Sequence, residues 1–353
     1  MPKRSDYLVF DGHNDVLSCL QEEGGVAAAE TFLTGREGHI DLPRAKAGGF
    51  AGGFFAIYVP SPFDLDESIE LMSQPEYDLP LSDPIPVTDA LPHVIEQAAI
   101  LMRLEELGAL KVCRSVADIR GCLRAGTIAA ILHIEGAEGI DRDLHNLDVL
   151  YQAGLRSIGP VWSRNTIFGH GVPFRYPSDG NVGPGLTQDG IRLVERCDAL
   201  GIMIDLSHLN EAGFWDVARV SSKPLVATHS NVHSICPHSR NLTDAQLAAI
   251  RDSGGMVGLN FAVAFLRADG RMIDDVPLSQ MLAHLDHLID RLGEDHVGLG
   301  SDFDGAEVPQ ELRCVAGLPK LTDAMTQHGY SEALIEKLCS ENWLRVLEKT
   351  WNA

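Results

Sequence analysis

Eight short apolar runs, separated by stretches with helical spacing, constrain the fold of this chain more than any other feature of its sequence. Most of the runs are continuously hydrophobic rather than alternating with polar residues, which is typical of parallel strands buried on both faces. The predicted strands span residues 7–15, 53–60, 127–135, 156–162, 201–208, 224–229, 255–261 and 297–304. A parallel sheet of this kind is covered by helices, so the pattern predicts an α/β protein.

The segments between the predicted strands carry the spacing of amphipathic helices. The clearest helical face consists of five apolar residues at intervals of three and four, namely Leu278, Met281, Leu285, Leu288 and Leu292. Eight buried strands that alternate with helices predict a (β/α)8 TIM barrel. The alternative is a doubly wound open sheet, which would need a phosphate-binding glycine loop after its first strand. Neither GxGxxG nor GxxxxGKS/T occurs in the sequence.

The sequence offers no boundary between two domains. It has no internal repeat and no linker, so we expect one barrel domain over residues 1–353. Two segments rich in glycine and proline, residues 60–86 and 168–185, are predicted to be long loops. Loops at the carboxyl ends of barrel strands carry specificity, and we expect these two to decide which ligands are accepted.

Composition and charge exclude several classes of protein. Of the 353 residues, 45% are hydrophobic, enough for a sizeable core. Lys and Arg number 28 against 50 Asp and Glu, a net charge of −22, so we expect neither nucleic acid nor a membrane as a partner. The seven scattered cysteines form no CxxC motif and indicate free thiols in a reducing compartment. With no apolar stretch of signal-peptide or membrane-spanning length, we expect a cytoplasmic protein.

Polar side chains stand at the carboxyl ends of four predicted strands. His13 and Asp15 end the first strand, Glu135 the third, His208 the fifth and His229 the sixth. In a barrel these ends meet at one mouth, where buried imidazoles and carboxylates need partners. Each residue alone has an ordinary explanation as a cap, a turn residue or a core histidine. Together, the five residues indicate a metal site.

Three imidazoles and two carboxylates without a thiolate suit Zn²⁺, with Mn²⁺ or Co²⁺ as possible substitutes. Five ligands are too many for one open tetrahedral zinc, so two ions that share a carboxylate fit better. We expect His13 and Asp15 to bind one ion, His208 and His229 the other, and Glu135 to bridge them. A water held between two such ions is available as hydroxide near neutral pH and would be the nucleophile.

Asp302, at the end of the eighth predicted strand, is a candidate acid/base. A carboxylate beside the attacking water can accept its proton and deliver it to a leaving group. The alternative is a turn residue, because Asp302 lies in DFDG and Asp and Gly are common in turns. We expect the turn role for Asp304 in the same motif.

The order of the motifs resembles a known family. FDGHND, HIEG, IDLSH, THSN, SRN and GSDFDG occur in this order between residues 10 and 305, and they resemble the renal (membrane) dipeptidase family of the metal-dependent amidohydrolase superfamily. His13-x-Asp15 is discriminating, since most of the superfamily has His-x-His, often with a carboxylated lysine. The resemblance implies a binuclear zinc (β/α)8 enzyme, commonly a homodimer, that hydrolyses dipeptides and often accepts a D-residue on the C-terminal side.

The resemblance also implies roles for individual residues. The implied metal ligands and acid/base are the residues already singled out, namely His13, Asp15, Glu135, His208, His229 and Asp302. Arg240 matches the family arginine that holds the substrate carboxylate, which a guanidinium can bind bidentately. The alternative for Arg240 is a surface salt bridge.

Two departures from the family pattern concern the substrate pocket. Trp162 stands where the family often has a histidine that polarises the scissile carbonyl, and His170 on the following loop could replace it. Ala262 stands where a tyrosine near the substrate is expected. These departures motivate an alternative, an amidohydrolase acting on acylated amino acids, lactams or lactones. A catalytically inert metal-binding protein is a third hypothesis, against which the intact ligand set and Asp302 argue.

Overall fold

The computed structural model of the chain describes residues 7–61 and 65–351. Part of the predicted loop at 60–86 and both ends of the expected domain lie outside these residues. The strands are β1 Val9–Asn14, β2 Phe50–Tyr58, β3 Tyr77–Leu79, β4 Leu110–Val112, β5 Ile128–Glu135, β6 Leu155–Ile158, β7 Phe174–Tyr176, β8 Met203–Ile204, β9 Val226–Ala227, β10 Met256–Asn260 and β11 Val297–Gly300. All eight predicted strands are therefore present, most of them shorter than predicted.

The helices alternate with these strands along the chain. They are α1 Val16–Gly24, α2 Ala29–Thr34, α3 Leu42–Gly48, α4 Leu65–Met72, α5 Val87–Glu106, α6 Val116–Ala125, α7 His145–Ala153, α8 Gln188–Leu200, α9 Glu211–Val220, α10 Asp244–Asp252, α11 Val263–Leu266, α12 Leu278–Leu292, α13 Leu318–His328, α14 Glu332–Glu336 and α15 Asn342–Thr350. A π-helical turn, Lys337–Glu341, joins α14 to α15. Helix α12 buries the five residues of the predicted apolar face. Among the described helices none is long and apolar enough to cross a membrane.

Parallel pairing arranges the strands in two neighbouring sheets. One sheet has the order β1-β2-β5-β6-β8, with β4 pairing along the first residues of β5, and the other has the order β9-β10-β11. Isolated parallel bridges connect the two sheets, from Asn14 to Phe303 and from Asp205 to Val226. The protein is thus an α/β fold whose parallel strands form a half-barrel.

Strands β8 and β9 are short because side chains replace part of the backbone ladder beyond them. The Asp205 carboxylate accepts hydrogen bonds from the backbone N–H groups of Ser207 and Thr228, and the Ser207 hydroxyl accepts one from the N–H of His229. The chain after each strand is therefore fixed by polar side chains. This arrangement holds His208 and His229 at the strand ends.

The predicted loops contain regular structure that the sequence pattern did not indicate. Strand β3, within 60–86, pairs antiparallel with β7, within 168–185. Each of these strands has only three residues, too few to show an alternation of apolar and polar side chains. Their pairing joins the two segments into one structure beside the carboxyl ends of the parallel strands.

An aromatic cluster fills the interior of the sheet below these ends. Trp343, from α15, is completely buried and packs 5.1 Å from the ring of Phe54, which itself lies 6.1 Å from Phe10. The indole N–H of Trp343 donates to the carbonyl of Leu299. This packing gives the strands a rigid base, so that the polar residues at their carboxyl ends are held in place.

Candidate metal centre

The five residues predicted to bind metal come together at the carboxyl ends of the strands. His13 lies in β1 with Asp15 just after it, and Glu135 is the last residue of β5. His208 and His229 follow β8 and β9. All five are buried, and none exposes more than 6% of its surface.

The distances divide the five residues into two sets that share Glu135. Nε2 of His13 lies 3.2 Å from Oδ2 of Asp15 and 3.5 Å from Oε1 of Glu135. The same Glu135 oxygen lies 3.0 Å from Nε2 of His208 and 3.3 Å from Nε2 of His229. His13, Asp15 and Glu135 form one group that could hold an ion, and Glu135, His208 and His229 form another. One carboxylate therefore faces both groups.

The tautomer of His229 is set by a chain of hydrogen bonds behind it. The hydroxyl of Thr228 donates to Oδ2 of Asp205 at 2.6 Å, so it accepts from Nδ1 of His229, which lies 2.8 Å away. A neutral imidazole that donates from Nδ1 has a bare lone pair on Nε2. Nε2 of His229 is thereby prepared to bind a metal ion.

His208 presents its Nε2 to the same space. Its Nδ1 lies 2.9 Å from the hydroxyl of Ser163, and its Nε2 lies 3.2 Å from a guanidinium nitrogen of Arg240, which can only donate. The Nε2 of His208 also lies 3.1 Å from the Nε2 of His229. Two nitrogen lone pairs and a carboxylate oxygen thus converge in a buried space, an arrangement that a divalent cation stabilises.

Burial sets the protonation of the centre. It lowers the pKa values of His208 and His229 well below 6.5, and Arg240 and His13 add to this effect. Burial raises the pKa of Glu135, against the influence of His13. For His13, the desolvation that opposes its charge is outweighed by the carboxylates of Glu135 and Asp15, which raise its pKa. Metal binding would displace the proton of His13, and a set of imidazoles and carboxylates fits a divalent transition-metal ion.

Sequence reasoning missed the residues that orient the ligands. Asp205, Thr228 and Ser163 support His229 and His208, and His133 lies behind His13 with a ring separation of 5.5 Å. The sequence does contain a signal for two of these supporting residues, because Asp205 and His133 are polar residues that interrupt apolar predicted strands. His13, His229 and Asp205 form a third possible metal group. Asp205 already accepts hydrogen bonds from Thr228 and Ser207, which favours a supporting role for it.

Asp302 lies beside the predicted ligands in a constrained conformation. Its φ is 59°, and its backbone N–H donates to the carbonyl of His13. Its Oδ2 accepts a hydrogen bond of 2.9 Å from the Asn260 side chain. A Cβ on Gly305 would collide with the carboxylates of both Asp15 and Asp302, so these two carboxylates are neighbours. Burial, reinforced by the charge of Asp15, raises the pKa of Asp302.

Asp304 has a structural environment, as the turn prediction expects. Its φ is 68°, and its carboxylate accepts hydrogen bonds from the guanidinium of Arg36 at 2.9 Å and from the backbone N–H of His39. The side chain of Arg36 is only 3% exposed. Asp304 therefore takes part in a buried ion pair outside the metal centre.

Arg240 is buried against the centre and is not in a surface salt bridge. Its guanidinium donates to the carbonyls of Ser207 and His229, and it lies 5.4 Å from the ring centroid of Phe265. Burial lowers its pKa to about 10, so it remains charged at neutral pH. A buried cation at the edge of the centre can bind an anionic group there.

Trp162 and His170, the two residues singled out where the sequence departs from the family pattern, have different surroundings. The ring of Trp162 lies 5.7 Å from that of His208 and 5.6 Å from that of Phe174, so it borders the centre. Nδ1 of His170 lies 3.1 Å from the carbonyl oxygen of Gly185. Within residues 7–61 and 65–351, no hydrogen bond, ion pair or ring contact joins the side chain of His170 to the five predicted ligands. Its role in the pocket remains a prediction.

Comparison with known proteins places these features in a family. The sequence model of the membrane dipeptidase family (peptidase family M19) matches residues 4–353. An uncharacterized protein in the pqqA 5′ region of Klebsiella pneumoniae is 50% identical over 265 residues, which cover 74% of this chain and 98% of that protein. An uncharacterized protein in the PQQ-III 3′ region of Acinetobacter calcoaceticus is 42% identical over 288 residues, covering 80% and 90%.

Solved structures agree with this relationship. A metallo peptidase from Rhodobacter sphaeroides, liganded with a phosphinate mimic of the dipeptide L-Ala-D-Ala, is 55% identical with a TM-score of 0.96, covering 98% of this chain and 99% of that one. The probable dipeptidase PvdM from Pseudomonas aeruginosa, 23% identical with a TM-score of 0.81 and coverage of 98% and 96%, has a similar fold. Since the family model spans nearly the whole chain and close relatives match over most of their length, the chain belongs to the membrane dipeptidase family of metallopeptidases.

Proposed function

We propose that this protein hydrolyses dipeptides with two zinc ions bound at the described centre, for which Mn²⁺ or Co²⁺ can substitute. The observation that carries the proposal is the position of Glu135, one oxygen of which lies within 3.5 Å of the Nε2 atoms of His13, His208 and His229. A carboxylate shared by two ligand groups is the arrangement of a two-metal site. The dipeptide mimic bound by the Rhodobacter sphaeroides relative supports a dipeptide as the substrate.

The ligands divide between the two ions as the geometry groups them. His13 and Asp15 would hold one ion, His208 and His229 the other, and Glu135 would bridge both. Thr228 and Ser163 orient the two histidines of the second group through their Nδ1 atoms. Such outer hydrogen bonds fix the ring orientation and raise the basicity of the ligand nitrogen.

When bound, two divalent ions supply a water of lowered pKa and polarise the scissile carbonyl. Asp302 stands beside Asp15 with one oxygen held by Asn260. We assign it the proton transfers, from the attacking water to its carboxylate and then to the leaving amine. A single carboxylate that accepts a proton and later returns it can serve both transfers.

The remaining side chains select the substrate. Arg240, buried and charged, would bind the C-terminal carboxylate of the dipeptide. The ring of Trp162 borders His208 where the family often has a histidine, so carbonyl polarisation by an imidazole is not supplied at that position. His170, whose Nδ1 lies 3.1 Å from the carbonyl oxygen of Gly185, would supply it from the following loop.

We propose that the parallel strands close into an eight-stranded barrel and that the chain forms a single domain. The bridges between Asn14 and Phe303 and between Asp205 and Val226, which join the two sheets, support this closure.

We further propose that the protein is a homodimer and that it is located in the cytoplasm. Light scattering of the purified protein tests the dimer, since a mass near 38.3 kDa would contradict it.

Release of free amine from L-Ala-L-Ala and L-Ala-D-Ala by the zinc-loaded protein tests the activity. N-acetyl-L-Ala-L-Ala is the comparison, because it keeps the peptide bond but lacks the free amine. We expect cleavage of both free dipeptides and none of the acetylated compound. Metal analysis of the same sample should give about two ions per chain.

Each other outcome contradicts a definite part of the proposal. Cleavage of the acetylated compound alone would favour a hydrolase of acylated amino acids, the alternative that Trp162 and Ala262 motivate. Lack of cleavage of all three compounds, with two metal ions verified, would leave a metal centre with a different substrate. One ion per chain with full activity would contradict the bridging role of Glu135.

A further inference from the structure

His238 is a completely buried histidine between β9 and α10, two residues before Arg240. Its Nδ1 accepts a hydrogen bond of 3.0 Å from the backbone N–H of Arg240. A neutral imidazole has one proton, so this bond places the proton on Nε2. Burial, with the nearby charge of Arg240, lowers the pKa of His238 well below 6.5 and keeps the ring neutral. Nε2 of His238 is therefore a hydrogen-bond donor.

This donor has no acceptor among the residues that the structure describes. Another buried histidine, His284, shows the contrast. Its Nδ1 likewise accepts from a backbone N–H, that of Val232, but its Nε2 donates to the carbonyl of Leu266 at 3.0 Å. Buried polar groups in native proteins are nearly always paired, so an unpaired donor requires an explanation.

Aromatic rings connect His238 to the metal centre. Its ring lies 4.5 Å from Phe265 and 6.5 Å from Phe174. Phe265 also packs against the guanidinium of Arg240, and Phe174 also lies 6.3 Å from the ring of His208. His238 and Arg240 thus share one aromatic wall that extends to a predicted metal ligand.

Arg240 has an unpaired donor as well. Its Nε is buried and has no acceptor within the described part of the chain. Two buried donors therefore belong to residues two positions apart that pack on the same ring. A carboxylate has two oxygens and about four acceptor positions, so it can bind both donors at once.

We propose that His238 is a further substrate-binding residue, which donates from Nε2 to the C-terminal carboxylate of the dipeptide that Arg240 binds by charge. The proposal rests on the proposed function, since the dipeptide provides the acceptor. A hydrogen bond to a charged acceptor is stronger than one between neutral groups, and a neutral donor adds direction without a second buried charge. The carboxylate would thereby be held in one orientation relative to the scissile bond.

Two substitutions separate this role from a structural one. His238→Asn keeps an acceptor at the position of Nδ1 for the backbone N–H of Arg240 but has no group at Nε2. His238→Gln can place an amide N–H near Nε2 but loses the acceptor at Nδ1. His284→Asn is the matched control, because it makes the same change in a buried histidine whose Nε2 is bound to the protein itself.

Steady-state hydrolysis of L-Ala-L-Ala by the zinc-loaded proteins measures the effect, with metal content verified for each variant. For His238→Asn we expect KM to rise about 10- to 100-fold with kcat changed much less, as for a group that binds substrate and transition state equally. His238→Gln should lie between His238→Asn and the wild type. His284→Asn should keep the kcat and KM of the wild type within about twofold while losing stability.

Other outcomes overturn the inference and remain distinct from failure of the proposed function. Wild-type kinetics for His238→Asn, or a larger loss for His238→Gln, would reduce His238 to a support for the Arg240 backbone. A fall in kcat with unchanged KM would move the donor from the carboxylate to the scissile carbonyl. Inactivity of the wild type towards every dipeptide would instead contradict the proposed function.

Discussion

The hydroxyl of Thr228 lies 2.8 Å from Nδ1 of His229 and fixes the tautomer of that predicted ligand. The hydroxyl can accept from His229 because its own proton is donated to Asp205. The two residues are adjacent in sequence, but the relationship depends on Asp205, which lies on the neighbouring strand segment. The support of His229 is therefore completed by the isolated bridge between Asp205 and Val226, which brings the segment after β8 beside β9.

Thr228→Val tests this relationship with little change of shape. Valine lacks the hydroxyl, so Nδ1 of His229 loses its acceptor and the imidazole loses its fixed tautomer. We expect metal affinity to fall about 10- to 100-fold, the range for loss of an outer hydrogen bond to a metal-bound histidine. Titration with a competing chelator measures the affinity. Thr228→Ser keeps the hydroxyl and should bind metal as the wild type does. Equal metal affinities for all three proteins would contradict the role of the Thr228 hydroxyl in orienting His229.

Asp302→Asn tests the acid/base assignment. The amide keeps the size of the side chain but cannot accept and return a proton. We expect kcat to fall about 10²- to 10⁴-fold, the usual contribution of such a group. Metal content should not change, because Asp302 lies outside the predicted ligand groups.

Asp304→Asn in the same motif is the matched control for that experiment. It weakens the buried ion pair with Arg36 and should lower the melting temperature while leaving kcat within about twofold, because breaking a buried pair acts on stability. A normal kcat for Asp302→Asn, or an equal loss for Asp304→Asn, would remove the assignment. Measurement of kcat for both variants at saturating metal concentration distinguishes a loss of proton transfer from a loss of bound metal.

Arg240→Lys tests the proposed carboxylate contact. Lysine keeps the positive charge but cannot bind a carboxylate in the bidentate manner of a guanidinium. We expect KM for L-Ala-L-Ala to rise about 10- to 100-fold, equivalent to one charged hydrogen bond. The comparison is KM for the wild type under the same metal loading. An unchanged KM would place the substrate carboxylate elsewhere.

Much of the centre could be predicted because its chemistry coincides with the strand pattern. His13, Glu135 and His229 each end an apolar run, and parallel strands bring such ends together. The partnership of Asp205 with Thr228 could not be predicted, because it depends on one isolated bridge between the segments of two strands that have only two residues each. The unpaired Nε2 of His238 could not be predicted either, since a sequence shows neither burial nor hydrogen bonds. Pairing of β3 with β7 escaped prediction because three residues carry no periodic signal.

His284 gives the metal-free protein a predicted pH dependence of stability that does not involve the metal centre. Burial lowers its pKa to about 4, whereas an unfolded histidine titrates near 6.5. Between these pH values the unfolded chain binds a proton that the folded protein does not. Stability from this group is therefore complete above about pH 6.5 and is lost as the pH falls towards 4.

The size of the effect follows from the part of this window that is sampled. Lowering the pH from 8 to 5 covers about 1.5 units below the unfolded pKa, equivalent to about 2 kcal/mol of unfolding free energy. Urea unfolding of the metal-free wild type and of His284→Asn at both pH values measures it. Because the other buried histidines are common to both proteins, their contributions cancel in the comparison. We expect His284→Asn to be less stable at pH 8 but to lose about 2 kcal/mol less on acidification, and parallel losses in the two proteins would contradict the assignment.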